Sequence, residues 1–146
     1  MTDGSLMSKT EQKKVIAKML KERPPTTATL ETGMLNIYRW SGKALPHWFI
    51  VLQSHATRVH CLVPKRLARA AYFHDAEEIY TSDIPAPIKA LFPNVRTFCN
   101  LVRREIFKRL KIKWPSKRDW ALITKADLTD RDTEIKYLTE NNLWLK

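Results

Sequence analysis

Only three glycines occur in 146 residues, and the eight prolines gather at the ends of apolar-periodic segments rather than inside them. So few turn residues argue against sandwiches and barrels, and prolines that punctuate segments leave helices as the building element. Hydrophobic residues make up 44% of the chain, enough for one ordinary core without staples. An all-α, compact helical bundle forming a single domain over 1–146 is therefore expected, with about the first seven residues as a flexible lead-in.

Ser8-Lys9-Thr10-Glu11 has the capping-box spacing, and Val15, Ile16, Met19 and Leu20 then recur at helical intervals until Pro24-Pro25. A weaker stripe of Leu30, Met34, Leu35, Ile37 and Tyr38 predicts a helix from Leu30 to Trp40, followed by a loop from Ser41 to Trp48. The next helix is expected from Ile50 through His55 to Val63. Pro64 stops it and suits the first turn of its successor. That successor reads as one helix from Lys65 to Tyr80, with Leu67, Ala70 or Ala71 and His74 on one side. Asn94 to Lys111 carries Val95, Phe98, Leu101, Val102 and Ile106 as an apolar stripe. Pro115-Ser116, with Asp119 three residues beyond the serine, opens a final helix to about Glu140. Neither strand alternation nor an internal repeat occurs.

Cys61 and Cys99 are too few for a disulfide framework or a thiolate zinc site, and each reads as a small buried hydrophobe. A reducing, cytoplasmic setting is expected. No apolar run approaches a membrane span, and the amino terminus lacks the apolar core of a secretory signal. The net charge of +11 attracts polyanions without choosing among nucleic acid, acidic membrane and phosphorylated small molecules. Lys13, Lys14, Lys18 and Lys21 on the first helix, and Arg96, Arg103, Arg104, Lys108, Arg109 and Lys111 on a later one, read as solvated faces, since no aromatic interleaving accompanies them.

The densest chemistry lies in Phe73–Lys89, FHDAEEIYTSDIPAPIK. Imidazole beside carboxylate at His74-Asp75 is the mixed donor set that suits Zn, Mn, Co or Fe better than the all-oxygen set preferred by Ca or Mg. Glu78, one helical turn on, shares the face of His74 and is placed for proton transfer beside such an ion. Glu77 reads as a surface carboxylate. Pro85 and Pro87 end the segment, because neither fits a helix interior.

This segment resembles the HD superfamily of metal-dependent phosphohydrolases, in particular its small bacterial and phage nucleotidases, whose motif reads HDxxE, a small-residue turn, GD-I/L-P-x-P and a Lys. Arg39-Trp40 and the run from Phe49 to Val59 around His55 are similar to the family's Arg-aromatic element and its H-S-x-x-V helix. Thr124-Lys125-Ala126-Asp127 is similar to its K-x-A-D helix. Two positions depart from the pattern: Ala56 stands for the Ser after the first His, and Ser82 for the Gly before Asp83. Neither is a ligand.

The resemblance implies an HD-domain bundle holding one divalent transition metal ion, Mn, Co, Zn or Fe, on His55, His74, Asp75 and Asp127. Asp130 and Asp132 are rivals for the last place. Glu78 would handle the proton, and Asp83 would position the water or help protonate the leaving group. Arg39 and Lys89 match positions the family uses around the substrate phosphate. Trp40 has two readings, a core aromatic or a wall against the sugar or base. Lys43 and His47 adjoin it in the loop, while His60 reads as structural. The implied function is hydrolysis of a deoxynucleotide, at the 5′-phosphate of a dNMP or along the phosphate chain of a dNTP such as dATP, in nucleotide-pool control. The expected partner is a small nucleotide, with no specific nucleic acid, no membrane and a homo-oligomeric assembly, in a bacterial cell or phage-infected host. The alternative is a basic nucleotide- or nucleic-acid-binding module with a structural metal site.

Overall fold

The computed structural model describes residues 7–146, so the lead-in expected over the first seven residues lies, except for Met7, outside the described residues. The helices, in chain order, are α1 (Lys9–Glu22), α2 (Thr27–Met34), α3 (Leu52–Cys61), α4 (Ala68–Tyr72), α5 (Glu78–Thr81), α6 (Ala86–Leu91), α7 (Pro93–Arg109) and α8 (Lys117–Glu140). Short 3-10 turns at Trp48–Ile50 and Lys65–Leu67 lead into α3 and α4. Among the described residues there is no strand, only the isolated bridges Tyr38–Val51 and Ala44–Trp144. The fold is the all-α bundle that the glycine and proline distribution implies. None of the described helices is long and apolar enough to cross a membrane.

Local signals set the helix ends. At α1 the Ser8 hydroxyl accepts from the Glu11 amide, and the Glu11 carboxylate accepts from the Ser8 amide, completing the capping box. Ser116 caps α8 through the Asp119 amide. The stripe read from Leu30 to Trp40 holds helical form only to Met34. Leu30 and Met34 are buried, but Leu35 and Tyr38 are exposed, so packing cannot extend α2 to Arg39. Instead the chain turns extended, and the Arg39 amide donates to the Ile50 carbonyl at 2.9 Å.

The segment read as one helix from Lys65 to Tyr80 breaks in two. Between α4 and α5 the amides of His74, Ala76, Glu78 and Ile79 donate three residues back, to Ala71, Phe73, Asp75 and Ala76. This tightened 3-10-like turn carries His74 and Asp75. A further short helix, α6, forms between the proline turn and α7, with Pro87 in its first turn, where a missing amide costs nothing.

The main core draws Ile16 and Leu20 from α1, Leu30 and Met34 from α2, Ala56 and Val59 from α3, Val102 and Ile106 from α7, and Ile123 and Ala126 from α8. Ala56 is buried there, so the methyl group at this departure from the family pattern faces apolar neighbours. Alanines at 56, 70, 71 and 76 bring α3 against α4 and its turn, with the His55 and His74 ring centroids 5.3 Å apart. A smaller cluster of Ala44, Ile50 and Leu138, flanked by Trp40, Phe49, Leu143 and Trp144, ties the 38–50 segment to the carboxyl-terminal end of α8. Cys61 proves exposed, because it follows the last buried turn of α3; Cys99 is buried as expected.

Candidate metal centre

His55 leaves α3 fully buried and its Nδ1 faces Asp130 Oδ2 at 2.7 Å. His74 Nδ1 donates to the Ala71 carbonyl at 2.6 Å. Both imidazoles are thus held by one nitrogen and present the other, Nε2, to the same point, the arrangement that orients metal-binding histidines. Asp75 Oδ2 lies 3.0 Å from His74 Nε2 and 3.6 Å from His55 Nε2. Asp127 Oδ1 lies 3.1 Å from His55 Nε2 and 3.7 Å from His74 Nε2.

These four donor atoms all fall within 4.8 Å of one another. Both Nε2 atoms are buried without an acceptably directed hydrogen bond, even though carboxylate oxygens stand 3.0 and 3.1 Å away. Nitrogens crowded by oxygens yet misaligned with them aim at a shared centre rather than at each other. Donors around a first-row ion at about 2.0–2.2 Å sit about 3–3.5 Å apart, close to the 3.0–3.7 Å between each Nε2 and the two carboxylate oxygens. Two neutral imidazoles and two carboxylates also balance a dication, so the residues fit one divalent transition ion.

The electrostatics agree. Burial opposes the imidazolium of His55, but Asp127, Asp130 and Asp75 outweigh it and lift the pKa to about 9. Burial likewise opposes the charge on His74, and Asp75 and Asp127 raise it well above its ordinary value. Burial would raise Asp75 and Asp127, yet the two histidines hold both below the usual carboxylate range. The pocket demands positive charge.

Among the rivals for the last place, Asp130 is directed to the other nitrogen of His55, and Asp132 is exposed beside Arg131. Leu128, next to Asp127 in the chain, is exposed. Asp127, Asp130 and Glu134 recur at three and four residues along α8, so one helix face supplies all three.

Glu78 is buried at the start of α5, with Oε2 lacking a partner. Burial first, then Asp75, Asp83 and Glu77, pushes its carboxyl well above the ordinary range. Asp83 is half-buried just beyond Ser82. Glu77 corrects the sequence reading: it is fully buried and forked by Arg103, whose Nε donates to Oε2 at 3.1 Å. Arg103 accordingly leaves the solvated face assigned to it, whereas Lys13, Lys14, Lys18, Lys21, Arg96, Arg104, Lys108, Arg109 and Lys111 are exposed.

Arg39 lies against the cluster. Its Nε donates to Glu134 at 2.9 and 3.2 Å, and Nη1 comes within 3.8 Å of Asp75 Oδ2. Burial works against its charge and is outweighed by Glu134 and Asp75. Trp40 has a left-handed backbone, φ 60°, and packs edge-on to Trp144 at 5.4 Å, with its Nε1 buried and unpaired. Lys89 is half-buried in the last turn of α6. Lys43 is exposed, and its carbonyl accepts from the Leu145 amide. His47 caps the following 3-10 turn through the Phe49 amide. His60 faces the Ala68 carbonyl at 3.1 Å, a structural role.

Sequence reasoning missed Arg58 and Glu134 as partners of the cluster, and named Asp130 only as a rival ligand, not as the partner of His55 Nδ1. The signal was the α8 spacing, and Arg58 standing one turn beyond His55 on α3.

A helical bundle that converges two histidines and two aspartates, with a buried glutamate beside them, has the organisation of HD-type phosphohydrolases. The chain belongs to the YfbR-like family, described as 5′-deoxynucleotidase YfbR-like, whose model matches residues 22–138. It is similar to the uncharacterized protein YfdR of Escherichia coli (strain K12), with 42% identity over 67 residues, covering 46% of this chain and 36% of that protein. The chain thus matches little more than a third of that relative's length. No solved structure matches.

Proposed function

We propose that the protein is a divalent-metal-dependent phosphohydrolase of deoxynucleotides. The observation that carries this reading is the pair of buried, unpartnered His Nε2 atoms facing Asp75 and Asp127, with the buried carboxyl of Glu78 alongside. His55, His74, Asp75 and Asp127 would hold the ion, which when bound polarises the phosphoryl group and acidifies water. Glu78 takes the proton from the attacking water, helped by an environment that already raises its proton affinity. Asp83 orients that water or returns a proton to the leaving oxygen. Arg39 anchors a phosphate through its Nη edge, because Nε is occupied by Glu134. Lys89 adds a point charge, and Trp40 stands beside Arg39 as a wall for the sugar.

The description of the family as 5′-deoxynucleotidase supports a dNMP substrate. The net charge of +11 favours the longer phosphate chain of a dNTP, toward which Lys43 would contribute. Products separate the two: inorganic phosphate from a dNMP identifies the nucleotidase, and tripolyphosphate or stepwise phosphate release from a dNTP identifies the triphosphohydrolase. Lys43→Ala should slow triphosphate turnover and leave monophosphate turnover near the wild-type rate. Absence of any phosphate or polyphosphate product across both panels, with metal bound, contradicts the reading. A cytoplasmic homo-oligomer completes the proposal, and sedimentation measures the assembly.

A further inference from the structure

A second carboxylate group, Asp130 and Glu134, lies behind His55 on α8. It is no second metal site, since both members are already neutralised by arginines. Arg58 Nε donates to Asp130 Oδ1 at 2.6 Å, and its Nη2 reaches Asp130 Oδ2 at 3.2 Å and Glu134 Oε2 at 3.4 Å. Arg58 Nη1 is fixed in turn by the Phe49 carbonyl at 2.8 Å, and its guanidinium lies 4.0 Å over the Phe49 ring. On the far side Glu134 takes the Nε of Arg39 on both oxygens. An unbroken chain of alternating charge therefore runs Arg39, Glu134, Arg58, Asp130, His55.

We propose that Glu134 is the positioning residue of Arg39, fixing the arginine's Nη edge toward the cluster and coupling its place to that of His55 through Arg58 and Asp130. The inference rests on the phosphohydrolase reading, in which Arg39 meets the substrate phosphate. Glu134 is fully buried, and its nearest approach to a presumed ligand, Oε1 to His55 Nδ1 at 4.0 Å, is beyond hydrogen-bond reach, whereas both its oxygens accept from Arg39 Nε, so it acts through Arg39. A guanidinium held along one edge by a carboxylate keeps a single orientation and offers its remaining donors as a preformed fork. Because Asp127, Asp130 and Glu134 occupy successive turns of α8, one rigid helix sets the spacing between a presumed ligand, the partner of His55 and the partner of the phosphate arginine. Substrate phosphate and ion would then be held in a common frame.

The test compares wild type, Glu134→Gln, Arg39→Ala and the double variant, each loaded with Mn(II), for metal content, melting temperature, binding of inorganic phosphate and deoxynucleotide kinetics. Glu134→Gln should keep its manganese, bind phosphate roughly tenfold or more weakly, the size of one charge-assisted hydrogen bond, and raise KM more than it lowers kcat. The double variant should bind phosphate no more weakly than Arg39→Ala alone, since the glutamate acts only through the arginine. Additive losses, or unchanged phosphate binding in Glu134→Gln, overturn the proposal while leaving the functional reading intact. If Glu134→Gln does not fold, Glu134→Asp carries the test: withdrawing the same charge by one methylene should weaken phosphate binding by a smaller factor, and unchanged binding overturns the proposal. A manganese-loaded wild type that neither binds phosphate nor turns over a deoxynucleotide overturns the functional reading and this proposal together.

Discussion

Ser82 adopts φ 63° and ψ 171°, a region open essentially to glycine, at one of the two positions where the sequence departs from the motif it resembles. Its amide closes α5 on the Glu78 carbonyl at 2.7 Å, and the charge of Asp83, the next residue, helps raise the Glu78 carboxyl. Ser82→Gly should therefore stabilise the protein by about 1 kcal/mol, the lower end of such strain, read as a higher denaturant midpoint; a lower midpoint would mean that the serine relieves strain rather than bearing it. Glu78→Gln should keep metal and nucleotide binding but cut turnover by roughly 10²- to 10⁴-fold. An unchanged rate assigns the proton elsewhere. His74, Asp75 and Glu78 were legible because their relation is local in sequence. Glu77 was not, since its burial depends on Arg103, 26 residues away on α7. Removing that arginine alone, as Arg103→Leu, should cost roughly 3–5 kcal/mol, the penalty for a stranded buried carboxylate. Adding Glu77→Leu should recover much of the loss, measured by urea unfolding, and failure to recover would assign the loss to packing.

The long elements follow from their caps: Ser8 and Ser116 start α1 and α8 where the sequence puts serine three residues before an acidic side chain. The break between α4 and α5 has no such mark. Phe73 to Glu77 contains neither glycine nor proline, and the helix yields there because Asp75 and Glu77 meet His55 and Arg103 across the fold while His74 comes within 3.7 Å of Asp127. Tertiary demands overrode local preference. The close approach of α3 to this turn depends on small residues, so Ala71→Leu should cost about 1–3 kcal/mol by overpacking. It should also lower metal content by spreading His55 from His74. Full metal content in a destabilised Ala71→Leu protein would show that the donors reach one another without that close contact.

Across the whole molecule, the net charge of +11 and the exposed basic residues of α1 and α7 form the kind of positive surface that attracts phosphates without reading bases. Binding to DNA should be weak, independent of sequence and steeply reduced between low and physiological salt. A tight, salt-resistant complex with one sequence would favour the binding-module alternative. The hydrolase reading instead depends on the ion that His55, His74, Asp75 and Asp127 would share, and it meets its most direct test in a single preparation assayed for metal and for hydrolysis of deoxynucleotides, before and after chelation. The expected result is about one transition ion per chain by the one-centre geometry, hydrolysis lost on chelation and restored by Mn, Co, Zn or Fe, with His74→Ala and Asp75→Ala lacking both metal and activity. Full hydrolysis in a demonstrably metal-free protein would contradict it.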